Sequence, residues 1–584
     1  MPGRLESVKP GTFADSGIRT LSNIYDFAIE NYSTAIAMKK RHSWGYQSIS
    51  YQEFGKLISF LGSGLMSKGL KKGDRIALMA GNSPEWVVMY AAITACGAVV
   101  VPLDTNLREN ELKHVLLHSM ARFLVVSPKI YHDLVKGAKV KDVDIIVLGE
   151  QDSTIETMTV TEIMAAGKEI INNGDTAFFS AKAEVRPEDI AAICYTSGTT
   201  GNSKAAVLLQ SNLVANIESL MSRLPITSDD IFLCMLPLHH TFSSMCVFLV
   251  PVMCGSTIVF ARSKRPDLIL QDVMQEGITI LVAVPLLFEH LAPMLIPVKS
   301  GKKRGVSFFK KIFLGMVYGL GKLVGKKMEK TETAKKLVSA GLKKIRFCAS
   351  GGAALRSDVE NAFFDAGIPV LQGYGLTETS PVCAINPFEK PVRGSIGPPL
   401  PGIDMKIDTP DADGIGEILV KGANVMKEYY KNPEATQAVL RGGYFYTGDL
   451  GRVDDEGYFT IVGRIKSLIV TAGGKNIYPD ELEAMLNRNP YILENIVIAV
   501  EDRKGNTRPG AIVVPNYDAI GSVPELSEKL TDETIREFIG TEVKKIFADL
   551  PDYKRILDFQ VRNEELPKTS TRKVKRHMVK WIKA

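Results

Sequence analysis

Residues Asp189–Cys194 read DIAAIC, and the next ten, Tyr195–Lys204, read YTSGTTGNSK. A short apolar run with the length of a buried strand gives way at once to glycines, hydroxyls and a lysine. A small-residue loop after a strand lets backbone N–H groups and hydroxyls wrap phosphate oxygens, and the lysine adds a point charge. The nucleoside-triphosphatase loop needs a glycine, four residues, then Gly-Lys-Ser/Thr. Here Gly198 and Gly201 stand too close together, and Ala205 follows Lys204 where a metal-binding hydroxyl would sit. That pattern is excluded. Taken alone, such a run also reads as an ordinary flexible loop, so the rest of the chain has to decide.

The surroundings predict an α/β fold. Ile76–Met79, Val99–Val101, Phe123–Val126 and Ile145–Leu148 are apolar runs of strand length, and Glu85–Cys96 and Glu109–Ser119 between them have helical periodicity. Strands separated by helices imply parallel α/β units. The rhythm returns between residues 185 and 400, with Thr279–Ala283 and Ile345–Cys348 as buried strands. Residues 400–462 differ: Met405–Ile407, Gly416–Val420 and Tyr458–Val462 alternate and are separated by Gly/Asp turns, which predicts a small antiparallel, barrel-like subdomain. A compact α+β unit is expected from Arg464 to the end. The expected organisation is a large N-terminal domain over residues 1–465, two α/β subdomains plus the β subdomain, and a small α+β C-terminal domain over 466–584.

A chain of 584 residues, 23% of them charged, has room for more than one core. Its seven cysteines lie mostly in apolar runs with no metal-ligand spacing, which predicts reduced core thiols and a cytoplasmic protein. The first residues show no apolar signal segment, and the longest apolar stretch, Met245–Phe260, is broken by Pro251 and Gly255. The net charge of +6 is uneven. Residues 299–346 hold 15 Lys/Arg against two Glu, +13 in all, so the remainder carries −7.

Four further blocks follow the loop: GYGLTET at 373–379, YTGDLG at 446–451, GRIKSLIVTAGGKNIYPDELE at 463–483 and PKTSTRK at 567–573. Together, in this order, they resemble the adenylate-forming superfamily of acyl-CoA synthetases, peptide-synthetase adenylation domains and luciferases. GDRIALMAGNSPEW at 73–86 and GAVVVPLDTN at 97–106 extend the likeness over almost the whole chain. The resemblance implies ATP, Mg2+ and CoA as cofactor and co-substrates. It implies that Thr196, Ser197, Gly198, Thr199, Thr200, Gly201 and Lys204 clamp the phosphates. Gly352 and Ala353, with Gly373, Tyr374, Gly375 and Thr377, would border the adenine. Asp449 would accept from the ribose hydroxyls, a task suited to a carboxylate, and Arg464 would lie beside the nucleotide. Glu378 and Thr200 would ligate Mg2+, Glu378 through hard oxygen contacts. Lys466 would be the hinge, and Gly473, Gly474 and Lys475 the loop that serves the CoA step. Lys573 would approach the α-phosphate.

The chain departs from the family pattern in three places. Ser467 stands where an acidic residue is usual, Thr571 and Arg572 replace Ser and Gly ahead of Lys573, and Gln210-Ser211 replaces Thr/Ser-His after the phosphate loop. Lys568, Lys575, Arg576 and Lys580 read as surface charge that could attract the CoA phosphates.

The acyl end is carried by LPLHHTF at 236–242, followed by Met245, Val247 and Phe248. His239, His240, Phe242 and Gly351 are the expected pocket, with His240 orienting the carboxylate as a catalytic residue beside Lys573, Glu378 and Thr200. No charged group offers itself to an amino acid's ammonium. In the basic segment, Phe308, Phe309, Ile312, Phe313, Met316, Val317, Leu320 and Val324 recur at helical spacing among lysines, which suits either a helix lying on an anionic membrane or one packed on its own domain. Long-chain acyl-CoA synthetases resemble this chain in carrying such a segment here. The resulting expectation is a medium-to-long-chain fatty acid–CoA ligase, with no nucleic-acid partner and peripheral contact with the inner membrane face left open. An acyl carrier protein as acceptor, or a catalytically impaired lipid-binding homologue, are the alternatives. Intact Glu378, Asp449, Arg464 and Lys573 argue against the last.

Overall fold

The computed structural model describes the chain except for residues 1–10, 43–44, 139–141, 150–153, 197–203, 296–341, 343, 472–474, 502–506, 524–525, 527–530, 569–573 and 583–584. The basic segment, most of the phosphate loop and Lys573 therefore lie outside the described residues.

Two eight-stranded sheets form the bulk of the molecule. In one, the strands run Glu428–Tyr429, Lys204–Leu209, Ile190–Thr196, Val99–Pro102, Arg75–Met79, Ala121–Val126, Asp144–Val147 and Met158–Thr159 from edge to edge. Its pairings are parallel from Ile190–Thr196 onward and antiparallel at the phosphate-loop edge. The other runs Val382–Ile385, Val370–Gly375, Phe347–Ser350, Ile280–Ala283, Ile231–Cys234, Thr257–Phe260, Ile36–His42 and Gly45–Ser50, again with parallel pairings inside and antiparallel ones at both edges. Central strands such as Ile280–Ala283 are buried along their whole length, the reason they read as unbroken apolar runs. Helix Pro84–Ala95, capped by Ser83, is buried on every side from Trp86 to Ala95 and shows no polar stripe there.

The alternating segment after residue 400 forms a five-stranded antiparallel sheet. Its strands are Ile403–Asp408, Gly416–Gly422, Leu440–Arg441, Tyr444–Val453 and Phe459–Arg464. The C-terminal unit has a core of its own, from Ile469 to Ile556, built of strands Ile492–Glu501, Thr507–Pro515 and Asp558–Val561 with helices Pro479–Leu486 and Asp532–Phe547. All seven cysteines are free thiols. Among the described residues no helix is long and apolar enough to cross a membrane. The stretch from Met245 stays helical past Pro251, which has no N–H to donate, by way of the π-helical turn Ser244–Leu249. It stops at Gly255, whose φ is 74°.

Candidate active site

Strand Val370–Gly375 brings Tyr374 to the end of its sheet, and the chain then turns through Thr377–Thr379. Gly375 is required there: a Cβ at this position would lie 1.8 Å from the Pro381 carbonyl oxygen. Gly373 meets only ordinary contacts. The Tyr374 hydroxyl donates to Asp449 Oδ2 at 2.7 Å. Asp449 stands opposite Arg464 across the strand pair Tyr444–Val453 and Phe459–Arg464, and Arg464 Nε meets Asp449 Oδ1 at 2.8 Å. The carboxylate is buried, and each oxygen takes one bond from the protein. A carboxylate offers about four lone-pair sites, so among the described residues each oxygen keeps an unused lone pair that could accept from a diol.

Glu378 lies in the next turn. Its Oε1 accepts from the Tyr429 hydroxyl at 2.8 Å, and among the described residues its second oxygen takes no hydrogen bond. No group of three or more His, Cys, Asp or Glu is placed to hold a metal among the described residues. A hard cation here would draw on one carboxylate, with phosphate and water oxygens completing its shell, an arrangement that suits Mg2+.

The two stems of the phosphate hairpin are described. Thr196 ends strand Ile190–Thr196 and pairs with Lys204, its Oγ1 donating to the Lys204 carbonyl at 3.2 Å. The Lys204 ammonium sits 4.6 Å from the centroid of the Tyr429 ring. Ser197, Gly198, Thr199, Thr200 and Gly201 lie outside the described residues. Gln210, where the family pattern departs, opens helix Gln210–Arg223 fully buried. Its side chain accepts from Leu21 N–H at 2.9 Å, while Asn212 caps Leu209 N–H at 2.8 Å.

At the end expected to take the acyl group, His239 and His240 lie in the turn before Thr241, their rings 4.2 Å apart. Burial above all, then the neighbouring His240, pushes the His239 pKa down to about 3, so its imidazole is neutral despite Asp104 at 3.8 Å. Burial lowers His240 as well. The buried His239 Nε2 has no hydrogen-bond partner among the described residues. Phe242 and Cys246, four residues apart on a helical stretch whose other residues are buried, remain partly accessible. Burial pushes the Cys246 thiol up to about 12, so it acts as an apolar surface and not as a nucleophile. The Phe242 ring closes on Gly351, where a Cβ would meet Cζ at 2.8 Å. Gly352 has φ +85°, and Gly352 and Ala353 are exposed after strand Phe347–Ser350. Thr241 Oγ1 and Thr377 Oγ1, 3.5 Å apart, join this end to the Glu378 turn. Tyr374, Thr377, Glu378, Asp449, Arg464 and Lys204 are thus brought together, with the histidine turn beside them.

Lys466 is exposed on the turn Ile465–Ser467 between the two parts of the chain. Lys475 is exposed, its backbone paired with Thr471, while Gly473, Gly474 and Lys573 lie outside the described residues. Two lysine/arginine positions correct the expectation of surface charge. Arg576 binds Glu483 at 2.6 Å and Asp480 at 3.3 Å, and Lys568 pairs with Glu494. They fasten the C-terminal segment to its own domain.

Residues 27–430 match the family described as AMP-binding enzyme, and residues 481–573 match its C-terminal domain. The chain is 29% identical to a feruloyl-CoA synthase of Amycolatopsis, covering 81% of this chain and 84% of that protein. It is 29% identical to the long-chain-fatty-acid–CoA ligase FadD15 of Mycobacterium bovis over 91% and 90% of the two chains. It is also 29% identical to the chloroplastic long-chain-fatty-acid–[acyl-carrier-protein] ligase AEE15 of Arabidopsis thaliana, over 90% and 80%. Among solved structures, ATP-bound MatB from Rhodopseudomonas palustris superposes with a TM-score of 0.71 at 25% identity, covering 95% of this chain and 97% of that one.

Proposed function

Since the chain belongs to the AMP-binding enzyme family of adenylate-forming enzymes, we propose that it is an ATP-dependent ligase joining medium-to-long-chain fatty acids to CoA. Adenylate-forming CoA ligases use ATP, Mg2+ and CoA, and these are this chain's cofactor and co-substrates. In the first step the fatty carboxylate oxygen attacks the α-phosphorus of ATP, and the bond to the pyrophosphate oxygen breaks. In the second, the CoA thiolate attacks the acyl carbonyl and AMP leaves. Catalysis of such transfers is chiefly positioning and charge neutralisation.

The observation that carries this reading is the buried Asp449 carboxylate held between Tyr374 and Arg464, beside Glu378. Asp449 takes the ribose diol, Tyr374 stacks on the adenine, and Gly352 and Ala353 border it. Lys204, with the hydroxyls of Thr196, Ser197, Thr199 and Thr200, holds the phosphates. Glu378 and Thr200 hold Mg2+, which neutralises phosphate charge when bound. Lys573 reaches the α-phosphate in the first step. Rotation about Lys466 then exchanges it for the Gly473–Lys475 loop, so that two reactions share one site in turn.

The relatives are named for different acids and acceptors, so the substrate reading rests on this chain's own residues. His240 orients the carboxylate, and Phe242 and Gly351 begin a pocket continued by residues 241–254, which contain no charged side chain. The +13 charge of residues 299–346 supports peripheral contact with an anionic membrane, where insoluble acids reside. The same charge favours a second reading in which an acidic acyl carrier protein replaces CoA as acceptor. Incubating purified protein with ATP, Mg2+, saturated acids from octanoate to stearate, and either CoA or holo acyl carrier protein separates the two by mass spectrometry. Acyl-CoA from the longer acids, lost in Lys573→Ala, is the expected product. Acyl-AMP that passes only to carrier protein supports the second reading, and no adduct with any fatty acid rejects both.

A further inference from the structure

Strand Glu428–Tyr429 runs antiparallel along the outer edge of the phosphate hairpin, with Tyr429 opposite Ala206 and Glu428 opposite Val207. Backbone bonds fix it on both sides: Lys427 N–H donates to Val207 O at 3.0 Å and Tyr430 N–H to Ala205 O at 2.7 Å. Met426 N–H also donates to the Glu378 carbonyl at 2.7 Å. One short segment therefore grips both the hairpin and the Glu378 turn. Successive strand side chains face opposite ways, and the two tyrosines use this. Tyr430 packs edge-on against His118 at 5.6 Å, and His118 Nδ1 lies 2.7 Å from the hydroxyl of Tyr195 at the foot of the hairpin. Tyr429 is buried, and it donates to Glu378 Oε1 while its ring carries the Lys204 ammonium.

We propose that Tyr429 is a positioning residue for the adenylation step: its hydroxyl fixes the Glu378 carboxylate, and its ring holds the Lys204 ammonium at the root of the phosphate loop. A carboxylate and an ammonium on adjoining elements attract one another. Tyr429 gives each a separate partner, so neither is neutralised by the other before the nucleotide and its metal arrive. The assignment rests on the adenylate-forming reading of the site.

Tyr429→Phe and Tyr429→Leu test it through three readouts. These are ATP–pyrophosphate exchange against Mg2+ concentration, binding of a fluorescent ATP analogue with and without Mg2+, and thioester formation from supplied acyl-AMP. Tyr429→Phe keeps the ring and loses the hydroxyl. Its half-saturating Mg2+ rises about tenfold, the worth of one hydrogen bond to a charged group, while metal-free binding of the analogue is unchanged. Tyr429→Leu also weakens metal-free binding by roughly threefold, through loss of the cation–π contact. Both convert supplied acyl-AMP at the wild-type rate. A wild-type Mg2+ dependence in Tyr429→Phe overturns the assignment, and so does an equal fall in both half-reactions, which marks a merely structural residue. Should Tyr429→Leu fail to fold, Tyr429→Phe decides alone. Wild-type protein without Mg2+-dependent exchange overturns the reading of the site itself, and the assignment with it.

Discussion

The two ends of the candidate site are made in opposite ways. At the nucleotide end every charged group described has a partner on another element: Asp449 with Tyr374 and Arg464, Glu378 with Tyr429, Lys204 with the Tyr429 ring. At the proposed acyl end the histidines are desolvated instead of paired: burial holds His239 neutral and lowers the pKa of the half-buried His240, and His239 Nε2 has no hydrogen-bond partner among the described residues. Partnered charges in a low-dielectric setting hold a geometry before the ligand arrives and serve transition states. A desolvated, apolar end selects among substrates by shape. Damage to the first end should therefore cost rate, and damage to the second should change substrate preference or pH response.

The largest effect is expected at Asp449. Asp449→Ala removes the proposed ribose acceptor and strands Arg464, and acid-dependent ATP–pyrophosphate exchange should fall about a thousandfold, at the upper end of what a preorganised polar contact supplies. A loss within a few fold would break the contrast between the two ends. Glu378→Gln keeps an acceptor for the Tyr429 hydroxyl but weakens the proposed metal ligand. Exchange should drop about a hundredfold and recover in part at high Mg2+, which titration of the rate against Mg2+ reads directly.

Gly351→Ala sharpens the comparison from the other side. The added methyl would meet the Phe242 ring at 2.8 Å, so the ring must move and the proposed pocket changes shape. Competition between laurate and stearate should move about tenfold towards the shorter acid, the scale of a methylene or two in an apolar pocket, with the Km for ATP unchanged. The smallest effect belongs to His239. A histidine held neutral in the fold, with its pKa lowered from 6.5 to about 3, leaves the unfolded chain binding more protons through that window. The stability it contributes is complete above pH 6.5 and is lost as pH falls towards 3. In thermal melts from pH 7 to about 4.5, His239→Gln should lose less stability on acidification than wild type. Parallel curves would mean that His239 is not held neutral by burial.

How much of this was legible in the sequence depends on how far apart the partners lie. The strands Phe123–Val126 and Thr279–Ala283 and the helix Glu109–Ser119 are local apolar patterns, and the fold reproduces them to within a residue or two. The grouping of Tyr374, Glu378, Asp449 and Arg464 was legible only through the resemblance that the blocks GYGLTET, YTGDLG and GRIKS carry together, since no local spacing brings the three blocks to one place. Tyr429 was missed. Its neighbours Glu428, Tyr430 and Lys431 read as an ordinary segment, and Glu378 lies 51 residues away. Arg576 and Lys568 read as surface charge in the sequence for the same reason, since their carboxylates are 93 and 74 residues distant. Spacing reveals neighbours along one element, and an ion pair closed by tertiary packing leaves no such mark. Gln210 shows the reverse case: it breaks the family pattern, yet its buried bonds to Leu21 and Thr94 give it a structural task.

The most direct test is incorporation of radiolabelled pyrophosphate into ATP by purified protein, with and without palmitate, for wild type and Asp449→Ala in parallel. The site as described predicts exchange that requires both palmitate and Mg2+ and nearly vanishes in the variant. Exchange indifferent to the acid, or undiminished without the Asp449 carboxylate, would contradict the assignment of this group as the seat of fatty-acid adenylation.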